Sequence, residues 1–425
     1  MQLFPTPPLW RALAAALFAG LTLLAGCGDD DDAFVDVDGD AASVPPLPLP
    51  GPRAVGCSNV AQDFSRVGSA SEAEAYWEGR RRPDGSTRDV SALLSDPAHT
   101  LSTTVAVPND STLYGSFAGS AVGYTLLVCY PTGADNPRPD YALPTGKVVP
   151  HMQTGAEAPL FADPAARYPV LAFAHGIAAS PLSAEHLDVL LWLASYGYVV
   201  VAPCHADPRF ADLQFDELGE VVKLLTNLSD AVAMQALRPL AMSAALDLLL
   251  SDARWREHVD AAQIGGFGAS LGGETLLLMG GAALTTSPGL ASRRIGTDTR
   301  LKAAVGYVPY FGQPLLPAFG RDQRGLDGVT LPYLAIAGTA DTTAPMGPLQ
   351  EGLARLQGSK QLVALRGVQH GFDPAWAGDI LTWTLTYLDA QVRGLPDAQD
   401  RLARMTSVEG GGDDRLMVPV TASVP

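Results

Sequence analysis

Gln263-Ile264-Gly265-Gly266-Phe267-Gly268-Ala269-Ser270-Leu271-Gly272-Gly273, running on through Leu276, Leu277 and Leu278 to Met279, is the stretch that decides the fold. Gln263–Phe267 reads as a strand and Leu271–Met279 as a helix. Between them lies Gly268-Ala269-Ser270-Leu271-Gly272, the only G-x-S-x-G in the chain. Glycine supplies 43 of 425 residues, so the pattern alone says little. Its place between a strand and a helix says more, because that is the setting of a nucleophile elbow. A serine at so sharp a turn stands clear of the sheet, and neighbours two residues away crowd it unless they lack side chains. The helix that follows points its N-terminus at the place where a reacting carbonyl gains negative charge. The spacing predicts Ser270 as a nucleophile. A solvated serine at a Gly-rich strand end is the competing reading.

Outward from the elbow, strands and helices alternate. Tyr168–Phe173, Tyr198–Ala202, Lys302–Tyr307, Leu331–Ala337 and Gln361–Leu365 read as strands. Leu187–Ser195, Pro239–Leu250, Met346–Leu356 and Trp376–Val392 read as helices, with Pro239 suited to a first turn. The alternation predicts an α/β fold, a mostly parallel central sheet with helices on both faces. Val105–Val107 and Tyr124–Tyr130 read as strands of an antiparallel start to that sheet. Two stretches break the alternation. Phe210–Leu237 has helical periodicity at Leu218, Val221, Val222 and Leu225, and Pro309–Thr330 is rich in Gly and Pro. Both leave carboxyl ends of strands, where ligands bind in open α/β sheets, and read as cap or pocket-wall insertions. Ordinary surface insertion is the alternative, above all for the second.

Of the seven histidines, only His370 follows Ser270. Behind such an elbow the acid comes next in the chain and the histidine last, which makes His370 the general base. It lies on the loop Arg366–Phe372, between a strand and the last helix. The acid belongs after Leu331–Ala337, in Gly338-Thr339-Ala340-Asp341. Asp341 would accept a hydrogen bond from one ring nitrogen of His370 and stabilise the imidazolium as Ser270 loses its proton. Asp298, Asp322, Asp327 and Glu351 fit that place less well. An acyl-transfer site also needs two N–H donors for the oxyanion. Leu271 supplies one, and Ile177, in Ala174-His175-Gly176-Ile177, is chosen for the other. His175 reads as a structural hydrogen-bonding residue. His205 and Asp207 could make a two-ligand metal site, but a hydrogen-bonded loop histidine is the favoured reading, and no metal or organic cofactor is expected. Tyr307, Tyr310 and Phe311 are candidates for an apolar pocket wall.

The beginning of the chain reads as an export signal. Arg11 precedes an apolar run of 15 residues, Ala12–Gly26, that ends at Cys27. A bilayer-spanning helix needs about 20 apolar residues, so the run suits a signal-peptide core. Leu24-Ala25-Gly26-Cys27 resembles a bacterial lipobox, in which the cysteine becomes a lipid-modified N-terminus. An ordinary signal peptide with a coincidental cysteine is the alternative; the small residues before Cys27 and the acidic run after it favour the lipobox. Asp29–Asp32, then Asp36, Asp38 and Asp40, then Pro45, Pro46, Pro48 and Pro50 predict an extended tether. The domain reading is a signal peptide over 1–26, a tether over 27–52 and a catalytic domain over 53–425. The expected location is the bacterial cell envelope, exported and lipid-anchored.

Composition closes off other classes. Hydrophobic residues make up 47% and charged residues 17%, which suits a globular chain with a large core. A formal net charge of -17 argues against nucleic acid or anionic membrane held through a basic face. With Cys27 acylated, Cys57, Cys129 and Cys204 remain, and an oxidising compartment permits one disulfide. Cys57 with Cys129 is favoured because both precede the catalytic core, leaving Cys204 a buried thiol; sequence alone leaves the pairing open.

These residues resemble the α/β-hydrolase superfamily, with a nearer likeness to its dienelactone hydrolase, platelet-activating-factor acetylhydrolase and cutinase-like polyester hydrolase branches. The likeness covers about residues 165 to 393. It rests on His175-Gly176-Ile177, Tyr196-Gly197-Tyr198-Val199-Val200, and Arg238-Pro239 with Leu246-Asp247. It rests also on Gly268–Gly273, Gly338–Asp341 with Ala344-Pro345, and His370-Gly371-Phe372. The resemblance implies the α/β-hydrolase fold and a serine hydrolase cleaving carboxylic esters through an acyl-enzyme. Its substrate would be a small-molecule, lipid or polymer ester. A serine peptidase or amidase on the same fold is one alternative. A non-catalytic envelope lipoprotein on a hydrolase scaffold is another, and it predicts a damaged triad. Two positions depart from the pattern. Ala269 stands where relatives often carry His, Trp, Tyr or Met, and Ala241 stands where relatives with the Arg-Pro element often carry an Asp, so a supporting salt bridge lacks its partner.

Overall fold

From Val170 to Ala174 every side chain is apolar and buried, and alternate residues face opposite ways. Val170, Ala172 and Ala174 join one apolar cluster; Leu171 and Phe173 join another. Val199 and Val201 repeat the first pattern, Val200 and Ala202 the second. A strand that is apolar on both sides needs a layer on each face. The computed structural model has this architecture, and it describes residues 42–58, 101–143, 146–153, 157–177, 179–205, 228–287, 291–313, 316–410 and 413–418.

A 10-stranded sheet forms the centre. Its strands are β1 (Ala54–Cys57), β2 (Ser102–Ala106), β3 (Ala121–Thr132), β4 (Tyr168–Ala174) and β5 (Val199–Pro203), followed by β6 (Val259–Ala269), β7 (Leu301–Tyr307), β8 (Tyr333–Gly338), β9 (Lys360–Leu365) and β10 (Asp414–Val418). The order across the sheet is β10-β9-β8-β7-β6-β4-β5-β3-β1, with β2 also paired to β3. Strands β4 to β9 run parallel, while β1, β2, β3 and β10 join antiparallel. Helices α1 (Ala184–Ser195), α2 (Leu228–Ser251), α3 (Leu271–Met279), α4 (Met346–Arg355), α5 (Ala377–Gln391) and α6 (Pro396–Arg404) complete the chain order. Helices α2, α3 and α4 pack into one cluster and α1 and α5 into the other, so the sheet is covered on both faces. The chain goes from β4 outward to β5, returns across β4 to β6, and then moves the opposite way through β7, β8 and β9. The strand order therefore reverses between β4 and β6, and the crevice at such a reversal is where ligands bind in open α/β sheets.

Three expectations need correction. Helix α2 does not begin at Pro239; it runs from Leu228, with Pro239 inside it. A proline there lacks the N–H that would bond the Gln235 carbonyl. The buried row Val232, Ala233, Ala236, Leu237, Ala241, Met242 and Ala245 holds the helix through that gap. Phe210–Leu237 is thus partly the start of α2, while 206–227 lies outside the described residues. The tether does not extend to residue 52. Ala42–Val44 pairs in parallel with Met405–Val408, the Leu47 N–H donates to Thr382 Oγ1 at 2.9 Å, and the Tyr196 hydroxyl donates to the Pro48 carbonyl at 2.6 Å. Val44 is buried, and Leu47 and Leu49 pack on the α1–α5 cluster, which gives the Pro-rich stretch a docking surface that a solvated tether lacks. Finally, Phe311 lines no pocket. It is 1% exposed and packs against Phe319 and Tyr333 in the core.

Cys57 and Cys129 face each other across the β1–β3 pair and are disulfide-bonded. Cys204 is buried outside that bond. The bridge closes 72 residues of chain. Restricting the unfolded state over that length is worth about 4 kcal/mol. Cys57→Ser with Cys129→Ser should therefore unfold at markedly lower denaturant than the oxidised wild type. Coincident denaturation curves for the two would show that the bridge adds nothing.

Candidate active site

The elbow is built by what its glycines lack. A methyl group at Gly268 would sit 2.3 Å from the Gly272 carbonyl, and one at Gly272 would sit 1.9 Å from the Ala174 carbonyl oxygen. Real side chains do not approach so closely, so β6, the turn and α3 can press against β4 only with glycine at both places. Ser270 takes φ 53° and ψ -118°, a left-handed backbone that non-glycine residues seldom adopt. Both of its main-chain groups are held. Its N–H donates to the Tyr307 carbonyl at 2.9 Å, and its carbonyl accepts from the Tyr310 N–H at 3.1 Å. Val308 lies between those two partners at φ 40°, a further strained position for a β-branched residue.

Four loops at the carboxyl ends of parallel strands meet here. His175–Ile177 leaves β4, Ser270 leaves β6, Asp341 follows β8 and His370 follows β9. His370 Nε2 lies 3.0 Å from Ser270 Oγ, and His370 Nδ1 lies 2.7 Å from Asp341 Oδ2. The Asp341 side chain is fully buried and that of His370 is 24% exposed. Asp341 Oδ1 accepts the N–H groups of Thr343 and Ala344, each at 2.8 Å, so both carboxylate oxygens are occupied. So placed, Asp341 orients the imidazole through Nδ1 and leaves Nε2 facing the serine. The three residues chosen from the sequence thus form one hydrogen-bonded chain.

Leu271 opens α3, so its N–H has no helical carbonyl to bond. Gly176 lies against the elbow, where an added methyl would stand 3.6 Å from Ser270 Cβ. That brings Ile177, the other chosen donor, to the serine's side of the crevice. Ile177 and Tyr310 also pack on Met234 and Leu271, a small apolar cluster separate from both core layers. Tyr310 also packs against the α2–α4 core layer, and Tyr307 belongs to the α1–α5 layer. Tyr307 is 2% exposed, and its hydroxyl donates to the Gly371 carbonyl at 2.6 Å. It braces the histidine loop with its side chain and the serine with its own carbonyl. Cys27 and Asp207 lie outside the described residues.

Sequence reasoning missed a buried polar layer beneath the crevice. Arg238, on α2, is 1% exposed and donates to the His175 carbonyl at 2.8 Å and the Gly176 carbonyl at 3.0 Å. Gln235, one turn earlier, donates to both oxygens of Glu274 on α3, at 3.0 and 3.1 Å. The only sequence signal was the Arg-Pro element; nothing local marks Gln235 or Glu274. The His205 N–H donates to His175 Nε2 at 3.0 Å, which leaves His175 Nδ1 as the donor to the Gly176 carbonyl at 2.8 Å. His175 is a structural hydrogen-bonding residue, as expected. Burial, helped by the Arg238 charge, holds His175 and His205 well below the ordinary imidazole range and brings His186 down to about 4. All three are neutral near pH 7.

Burial pushes the Glu274 carboxyl up to about 8, against the pull of the Gln235 amide and the Arg238 charge. No family model matches this chain, and no curated protein does.

Two predictions follow from these contacts. Gly272→Ala should cost about 2–3 kcal/mol, because the added methyl collides with backbone rather than with a movable side chain. Gly176→Ala, with ordinary contacts, should melt close to wild type; similar melting temperatures for both variants would refute the packing argument. For Glu274, the folded protein keeps the proton up to about 8 while the unfolded chain releases it near 4.5. The stability due to the neutral acid is thus complete below the lower value and lost as pH rises through the upper one. Glu274→Gln should remove a downward slope of up to about 1.4 kcal/mol per pH unit between those limits. The difference between variant and wild type isolates it from the histidines, whose contribution has the opposite sign. Parallel stability–pH curves would mean that the folded protein holds the carboxyl ionised.

Proposed function

We propose that the protein is a serine hydrolase of the α/β-hydrolase fold that cleaves carboxylic esters through an acyl-enzyme. The observation that carries this reading is the Ser270–His370–Asp341 hydrogen-bonded chain, at 3.0 and 2.7 Å, assembled from three separate strand ends. A strained serine between two obligatory glycines supports it. An intact chain of three also counts against a non-catalytic lipoprotein on the same scaffold.

The chemistry follows from the contacts. The Ser270 hydroxyl passes its proton to His370 Nε2 as Oγ attacks the ester carbonyl carbon. The carbonyl π bond opens, and the oxygen carries the charge between the N–H groups of Leu271 and Ile177. Asp341 stabilises the imidazolium. The intermediate collapses, the alcohol leaves with the proton from His370, and the acyl group stays on Oγ. Water then gives a proton to His370 and its oxygen to the acyl carbon; collapse releases the acid and returns the proton to Ser270. The apolar quartet of Ile177, Met234, Leu271 and Tyr310 suits an uncharged acyl group. Export with a lipid anchor at Cys27 is part of the same proposal, supported by the lipobox-like Leu24-Ala25-Gly26-Cys27 and by a disulfide that suits an oxidising compartment.

A fluorophosphonate probe should label the purified protein at one site, and Ser270→Ala should abolish both the label and the hydrolysis of aryl esters. Equal labelling of wild type and variant would end the assignment.

A further inference from the structure

Arg238 makes two contacts that bear on a main-chain group it does not touch. Its Nη1 and Nη2 donate to the carbonyls of His175 and Gly176, two successive peptides of the loop that follows β4. Both peptides are trans. In a trans peptide the carbonyl and the N–H point in opposite directions. Fastening the Gly176 carbonyl to the guanidinium therefore turns the Ile177 N–H away from the buried layer. The Gly176 N–H is itself occupied, donating to His186 Nε2 at 3.5 Å, which leaves the Ile177 N–H as the loop's donor. Among the described residues the Ile177 N–H has no acceptor.

The same helix face holds the other half of the crevice. Gln235 and Arg238 are three residues apart on α2 and so lie one above the other. Gln235 grips Glu274 in the first turn of α3, the helix whose first N–H is that of Leu271. One helix thus fixes the loop carrying one oxyanion donor and the helix carrying the other. The guanidinium is suited to this work because its fork reaches two carbonyls at once, which an ammonium on a flexible stem does not do with fixed geometry.

We propose that Arg238 is a positioning residue for acyl transfer, holding the Ile177 N–H in register with the Leu271 N–H as a two-donor oxyanion hole. The inference rests on the serine-hydrolase reading. Arg238 is 1% exposed, so its effect on the reaction runs through the loop it holds rather than through contact with substrate.

The test compares an aryl acetate with the matching aryl thionoacetate in wild type and Arg238→Lys. Sulfur accepts hydrogen bonds poorly, so the thiono substrate gains little from the hole. The variant should lose about 10- to 100-fold in kcat on the oxoester with KM little changed, the size of effect expected when a donor is displaced. It should lose far less on the thionoester. Equal losses on both substrates, or an oxoester kcat within about twofold of wild type, would overturn the proposal. A measurement on wild type keeps the question open to refutation if the variant does not fold. In the phosphonylated protein the amide protons of both Ile177 and Leu271 should move downfield as they bind the phosphoryl oxygen. An unmoved Ile177 amide overturns the proposal. A wild type that fluorophosphonate does not label removes the hydrolase reading and this inference with it. That outcome is distinct from a labelled wild type whose Lys variant turns over normally.

Discussion

The close approach of the elbow to β4 is the contact on which the rest of the crevice depends. Gly272 packs where a methyl group would lie 1.9 Å from the Ala174 carbonyl oxygen, so the first turn of α3 rests on the end of the neighbouring strand. Because β4 and β6 are adjacent at the point where the strand order reverses, that contact sets Ser270 beside the His175–Ile177 loop. The parallel sheet then supplies the other members at no extra distance. Strands β8 and β9 end on the same edge, and their loops carry Asp341 and His370. Local strain at Ser270 persists because the end of β7 and the residues after it hold the serine's N–H and carbonyl at once, through Tyr307 and Tyr310.

Beneath the crevice the protein keeps charge where an apolar core would be more stable. A fully buried arginine loses a large hydration energy, and hydrogen bonds to carbonyls recover only part of it. Glu274 does not simply balance it, since burial favours the neutral acid there. The gain is geometric. Carbonyls of an irregular loop need donors when they are buried, and a fork that satisfies two of them leaves that loop one arrangement. The missing Asp at position 241 fits this picture, because the Arg238 fork turns toward the loop carbonyls rather than toward its own helix.

The elements that a short window encodes were legible in the sequence. Helix α3 has the predicted bounds, Leu271–Met279, because Ser270 and the glycines around it punctuate both ends. Ser270, Asp341 and His370 were legible because each sits where a buried strand gives way to a loop. What failed was set by distant packing. Pro239 signals a helix start locally, yet apolar residues on both sides of it bury against the sheet and carry α2 through. The prolines from Pro45 to Pro50 signal an extended, solvated chain, yet contacts with Ser195, Tyr196, Thr382 and Arg401 fasten them. Residues after 393 gave no reading, and they supply α6, a strand beside Ala42–Val44 and the edge strand β10. Tyr307 looked like a pocket wall because an aromatic ring after a strand has no local mark of the hydroxyl's partner, here 64 residues away.

The histidines show how differently one fold can surround the same side chain. His175, His186 and His205 cluster beside the crevice, with His175 ring centres 4.6 Å from His205 and 6.2 Å from His186. Proximity alone would make any of them a rival. Each is buried next to a guanidinium, and both conditions oppose taking up a proton. His175 has no capacity left in any case, with one ring nitrogen accepting and the other donating. His370 has other neighbours: the Asp341 carboxyl on Nδ1, the serine hydroxyl on Nε2 and an edge open to solvent. The proposed reaction asks its base to take a proton from Ser270, return it to a departing alcohol and collect another from water, and those three neighbours together suit that work. The order of residues along the chain and the hydrogen bonds of the folded site both point to His370 as the base of the proposed reaction.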